Sequence, residues 1–122
     1  MINIGIVGCG KWASTIINEI NDNKDFNLNS IVCRKKFDNN LNLKIFNSSK
    51  KMIQSNIAES IYIAANPNLN LEIVKLSINK KIPLILEKPI CRTFNDIKEL
   101  KKITEKNNLT IIPNLSSYFQ KL

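Results

Sequence analysis

The feature that most constrains this chain is a rhythm. Short apolar runs rich in β-branched residues alternate with stretches of helical spacing from end to end of the 122 residues. The runs at residues 2–7, 28–33, 43–46, 60–64, 83–86 and 109–112 have strand length, and several lack polar alternation, as strands buried on both faces do. Between them, residues 12–21 gather Ile16, Ile17 and Ile20 on one side, residues 69–79 gather Leu71, Val74 and Ile78, and residues 94–106 gather Ile97, Leu100 and Ile103. Thr93 is placed to cap the last helix and Asp96 to face its positive end. A weaker helix is expected over residues 48–55 and a loop over 36–42. Repeated strand-helix-strand units imply right-handed crossovers, hence an α/β fold built on a doubly wound, mainly parallel six-stranded sheet with helices on both faces. A chain of this length is expected to be one domain, residues 1–122, able to bury its own core.

Directly after the first run stands Gly8-Cys9-Gly10-Lys11-Trp12-Ala13, a GxGxxA turn opening a helix. Gly8 permits a tight turn, Gly10 lets backbone approach a pyrophosphate, and the small Ala13 lets helix and strand pack closely. The free N–H groups and positive end of the helix then face the phosphates. A strand, this turn and a helix at the start of an alternating chain predict a Rossmann-like dinucleotide site. The end of the second strand selects the cofactor, because an acidic residue there binds the ribose hydroxyls and a basic one accommodates a 2′-phosphate. Here it reads Cys33-Arg34-Lys35-Lys36, with no carboxylate before Asp38, which favours NADP(H) over NAD(H). Arg34 suits stacking on adenine and Lys35 acts as a point charge.

Composition removes other chemistries. The chain has no His, so triads, His-ligated zinc and imidazole acid-base catalysis lack their central group. Cys9, Cys33 and Cys91 are scattered, odd in number and without a CxxC pair, the pattern of reduced cytoplasmic thiols packed as small hydrophobes, with no metal site. The net charge of +8 rests on lysines in ones and twos without interleaved aromatics, the pattern of a solvated surface and not of a nucleic-acid footprint. No run approaches the roughly 20 apolar residues of a membrane span, and the N-terminal run lacks the basic start of a signal peptide. A receiver-like signalling domain would need acidic residues where Gly8 and Cys33 stand.

Two more segments carry a resemblance. Ile61-Tyr62-Ile63-Ala64-Ala65-Asn66-Pro67-Asn68-Leu69-Asn70 looks like a strand followed by the Ala-Thr-Pro…His loop of one oxidoreductase family, and Leu84-Ile85-Leu86-Glu87-Lys88-Pro89 matches that family's Glu-Lys-Pro motif. With GxGxxA they resemble the nucleotide-binding half of the glucose-fructose oxidoreductase / inositol dehydrogenase family (Gfo/Idh/MocA), whose members oxidise or reduce CH-OH groups of sugars and polyols with NAD(P). The resemblance implies that Gly8, Gly10, Lys11, Trp12 and Ala13 hold the pyrophosphate. Cys33, Arg34 and Lys35 then sit at the adenosine end, and Ala64, Ala65, Asn66 and Asn70 toward the nicotinamide. Glu87 and Lys88 lie beside its ribose, Lys88 contacting the reacting hydroxyl, where its charge stabilises a developing alkoxide. The chain departs from the pattern at Ala65-Asn66, with Pro67 one place late, and at Asn70 in place of His.

The family's C-terminal substrate domain has no counterpart in the sequence, so the resemblance implies an oxidoreductase half that is not catalytic without a second domain, supplied by a partner chain or another subunit. A non-catalytic NADP(H)-binding or sensing module and a truncated remnant remain the alternatives. Apolar surface left at the last strand predicts a homodimer, with Tyr118, Phe119 and Leu122 filling the gap.

Overall fold

The structure, a computed structural model, describes residues 1–113, which form a single six-stranded sheet in the order β3-β2-β1-β4-β5-β6. In chain order the elements are β1 (Ile2–Val7), α1 (Lys11–Asp22), β2 (Phe26–Val32), β3 (Lys44–Phe46), α2 (Ser49–Gln54), β4 (Ser60–Ile63), a 3-10 turn (Pro67–Leu69), α3 (Asn70–Ser77), β5 (Leu84–Leu86), α4 (Phe94–Asn107) and β6 (Ile111–Pro113). Every strand pair is parallel. All six expected strands and four expected helices are present, and residues 36–42 carry neither helix nor strand. The dimer candidates Tyr118, Phe119 and Leu122 lie outside the described residues.

Alternation along the buried strands builds two cores. Ile4, Ile6, Ile31 and Tyr62 point to one face, where Ala13, Ile16, Ile17 and Ile20 of α1 cover them. Val7, Ile61, Ile63, Leu84 and Leu86 point to the other, against Met52, Ile53, Ile73, Val74 and Leu100 of α2, α3 and α4. The crossover between β2 and β3 supplies no helix, and Leu43 with Phe37 fills that part of the α1 face. Ile85 lies on the same face as Tyr62, and Ile112, its partner on β6, is 49% exposed.

Register explains one glycine. Ile4 pairs with Leu28 but Gly5 with Ser30, so Asn29 is skipped in the ladder, and its Nδ2 donates to the Ile57 carbonyl at 2.8 Å. A Cβ on Gly5 would lie 2.8 Å from Ser30 Oγ and 2.9 Å from Met52 Sδ, so the missing side chain is what lets α2 settle onto β1. At the edges, β3 has three residues and begins with a lysine, and β6 ends in proline, both of which discourage further pairing.

Candidate dinucleotide site

In a parallel sheet the loops leaving the C-terminal strand ends share one edge, and a crevice opens where the chain leaves a strand in opposite directions. Here β1 has β2 on one side and β4 on the other. An open cleft of about 170 Å³ lies there, lined by Val7, Gly8 and Cys9, by Val32, Cys33 and Arg34, and by Ser49, Ala65 and Leu69. The structure therefore brings together the glycine turn, the end of β2 and the loop after β4, as the sequence predicts.

The turn is gripped from both sides. Gly8 N–H donates to Val32 O at 3.0 Å, and Ala64 N–H donates to Val7 O at 2.9 Å. Gly8 has φ +111°, and a Cβ there would meet the Ala64 carbonyl oxygen at 2.4 Å, so the fold itself requires this glycine. Gly10 differs. Its φ of −78° is open to any residue, and a Cβ there would have no heavy atom within 4 Å. Gly10 also caps α1 without a side-chain hydrogen bond, and no acidic residue stands in the first turn. Such a helix start leaves its first N–H groups and its positive end to an anion. The opening in front of Gly10 and the uncompensated helix start fit a pyrophosphate. Ala13 is fully buried against the sheet, whereas Lys11 and Trp12 are exposed beside the turn.

Cys9 and Cys33 correct the reading of three reduced thiols: they form a disulfide, with Cα atoms 5.5 Å apart. The register of the first two strands explains the pairing. Val7 stands opposite Val32, so the residues just past them converge over one strand end although 24 positions separate them in sequence. Cys91 remains a free, buried thiol among the residues under α4, and burial, then the Asp96 carboxylate, pushes its pKa up.

At the adenosine end, Arg34 Nε donates to the Asn47 carbonyl at 3.2 Å, which holds the guanidinium beside the start of α2. Ser48 caps that helix by accepting from Lys51 N–H at 3.2 Å, and Ser49 lines the cleft. Sequence reasoning missed Ser49. Its signal was available, since it opens the helix after the third strand, at the same edge as the turn. Lys35 is exposed next to Arg34.

Toward β5 the candidates divide by role. Ala64 and Ala65 are half-buried at the end of β4. The Asn66 side chain accepts from Asn68 N–H at 3.0 Å and so caps the 3-10 turn. Asn70, expected toward the nicotinamide, is 2% exposed, and its Nδ2 donates to the Ile90 carbonyl at 2.5 Å, while its Oδ1 has no partner. A buried amide at the start of α3 thus ties down the segment that follows Lys88 and Pro89, which are joined by a cis peptide bond. On the other side of Lys88, Glu87 accepts a hydrogen bond from the Tyr62 hydroxyl. Lys88 is exposed on a loop anchored before and after it.

Among the described residues no helix is long and apolar enough to cross a membrane. None of the curated proteins matches the chain in sequence. Solved structures do match in fold. The chain is similar to scyllo-inositol dehydrogenase from Lactobacillus casei, with bound NAD(H) and scyllo-inositol, at TM-score 0.89 and 19% identity over 98% of this chain and 37% of that one. It is similar to biliverdin reductase from Synechocystis, in complex with biliverdin and NADP+, at TM-score 0.82 and 18% identity over 93% of this chain and 37% of that one. An oxidoreductase from Bacillus cereus follows at TM-score 0.77 and 18% identity, over 93% and 34%. This chain thus spans little more than a third of the length of each, and the likeness is one of fold. In sequence, residues 2–115 match the model of an oxidoreductase family with an NAD-binding Rossmann fold, and by that match the chain belongs to the Gfo/Idh/MocA family.

Proposed function

We propose that this chain binds NADP(H) in preference to NAD(H). It then serves as the cofactor half of an oxidoreductase that moves a hydride between the nicotinamide and a CH-OH carbon of a sugar or polyol. The observation that carries the reading is the cleft itself. One wall carries Gly8 and Cys9, which lead through the open approach of Gly10 into a helix start with no side-chain cap and no acidic residue in its first turn, and the other ends in Arg34, with no carboxylate before Asp38. The N–H groups of Lys11, Trp12 and Ala13 would hold the pyrophosphate, and Arg34, Ser49 and Lys35 the 2′-phosphate. The bound nicotinamide supplies the hydride acceptor or donor. Lys88 would hold the substrate hydroxyl, move its proton and stabilise the alkoxide with its charge, its loop kept in place through Glu87 and Asn70. Bound NAD(H) in one structural neighbour and NADP+ in another support the cofactor class.

Substrate contacts would come from outside these 122 residues, because hydride transfer needs the reacting carbon held against the nicotinamide away from water. A cytoplasmic setting belongs to the same reading.

The test is a titration of NADPH and NADH into the purified chain, followed by the fluorescence of Trp12. NADPH should bind more tightly, and Arg34→Glu should weaken it about tenfold or more while changing NADH little. Tighter binding of NADH would overturn the preference, and failure of both nucleotides at millimolar concentration would overturn the reading. The chain alone should turn over no sugar, polyol or cyclitol. Steady-state turnover abolished by Lys88→Ala would show that it needs no second part.

A further inference from the structure

The Cys9–Cys33 bridge joins the two walls of the cleft. Cys9 lies between the two glycines of the phosphate turn, Cys33 immediately precedes Arg34, and both residues line the same space. The backbone bonds that tie the turn to the neighbouring strands end at Gly8, and Gly10 O accepts from Ser14 N–H of α1 at 3.1 Å, while Cys33 is fixed to β3 by its own N–H, which donates to Phe46 O at 2.9 Å. Among the described residues, the disulfide is therefore the link that fastens the turn beyond Gly8 to the end of β2. Cys9 is half-buried at the cleft, Cys33 is buried beneath it, and Cys91 sits in the separate core on the other face of the sheet.

We propose that this pair is a redox switch of the dinucleotide site: oxidation pins the turn and tightens nucleotide binding, and reduction frees the turn and weakens it. The inference rests on the dinucleotide reading above. The oxidant class is a low-molecular-weight disulfide such as oxidised glutathione. The Cys9 thiolate attacks one of its sulfurs, the glutathione S–S bond breaks, and one glutathione leaves and takes up a proton. The Cys33 thiolate then attacks the Cys9 sulfur of the mixed disulfide, forming the internal bridge and releasing the second glutathione. The protein loses two electrons and two protons, and oxidised glutathione gains both. Binding tightens because the bridged turn is ordered before the ligand arrives, so less conformational entropy is lost on binding.

The full chain is equilibrated with oxidised or reduced glutathione, its free thiols are alkylated for mass mapping, and NADPH and NADH are titrated by calorimetry. Calorimetry is chosen because a nearby disulfide alters Trp12 emission by itself. The expected result is a bridge mapped to Cys9 and Cys33 with Cys91 still free, and a Kd about fivefold to tenfold lower for the oxidised chain. Cys9→Ser and Cys33→Ser should each lose the difference between the two conditions, and Cys91→Ser should keep the full response. Equal affinity in the two states, weaker binding after oxidation, or a bridge made to Cys91 would overturn the switch and leave the dinucleotide reading standing. A bridge that forms in a chain binding neither nucleotide would remove both.

Discussion

Gly8 and Gly10 stand two positions apart and are glycines for different reasons. At Gly8 the backbone has a positive φ and the Ala64 carbonyl oxygen occupies the place of a Cβ, so Gly8→Ala should cost about 2–4 kcal/mol of stability. At Gly10 the place of a Cβ is open, so Gly10→Ala should cost under about 1 kcal/mol and still weaken NADPH at least about tenfold by standing where the phosphates approach. Denaturant midpoints and nucleotide titrations on both variants check the pair, and a large stability loss in Gly10→Ala would contradict it. Cys91 offers a second check. Its folded pKa lies above that of the unfolded thiol, so the unfolded chain gives up its proton first. Stability from this source is complete below the ordinary thiol range and falls as pH rises through it. With the disulfide intact, the denaturant midpoint should decline between about pH 8 and 10, and the decline should flatten in Cys91→Ala. The glycine turn was legible because its residue types have no cheaper use in that pattern. The partners of Asn70, Glu87 and Cys9 were not, since each bond joins segments that meet only in three dimensions.

At the scale of elements, two helix starts contrast. Thr93 caps α4 by accepting from Asp96 N–H at 3.1 Å, whereas α1 begins with no side-chain cap. Thr93→Ala should therefore lower stability by about 1 kcal/mol and leave nucleotide binding unchanged, which thermal melts beside an NADPH titration would check. Strands and helices were readable because β-branched runs and apolar spacing are local signals. Their ends shifted where a neighbour decides. β2 begins at Phe26, ahead of the apolar run, because Phe26 and Asn27 pair with Ile2 and Asn3. β6 begins at Ile111 because Asn108 ends α4 in the left-handed region and Leu109 N–H still donates to Thr104 O. The helix expected over residues 69–79 is α3 preceded by a 3-10 turn at Pro67–Leu69, where Asn66 supplies the cap.

For the whole molecule, right-handed crossovers tie the direction of each strand step to the face its connection covers, but they do not by themselves set the strand order. The sequence pattern placed helices on both faces; the structure puts α2, α3 and α4 on one and α1 on the other, leaving Ile112 half-exposed at the edge. That apolar edge is the basis for expecting a homodimer. Light scattering at micromolar concentrations should give twice the monomer mass of 13.9 kDa, and Ile112→Lys should shift the population to monomer. A monomer throughout the range would refute it.

The all-parallel sheet also sets the order in which this chain can be built. Among the described residues no hairpin occurs, so every ladder waits for a crossover: Ile2 waits for Phe26, and Ile4 waits for Ser60 before β1 gains its second neighbour. As the chain leaves the ribosome, the apolar β1 edge stays open until β4 has been made, and non-local pairing of this kind is slow and exposes strand edges to other chains. Slower synthesis at lower temperature should therefore raise the soluble yield.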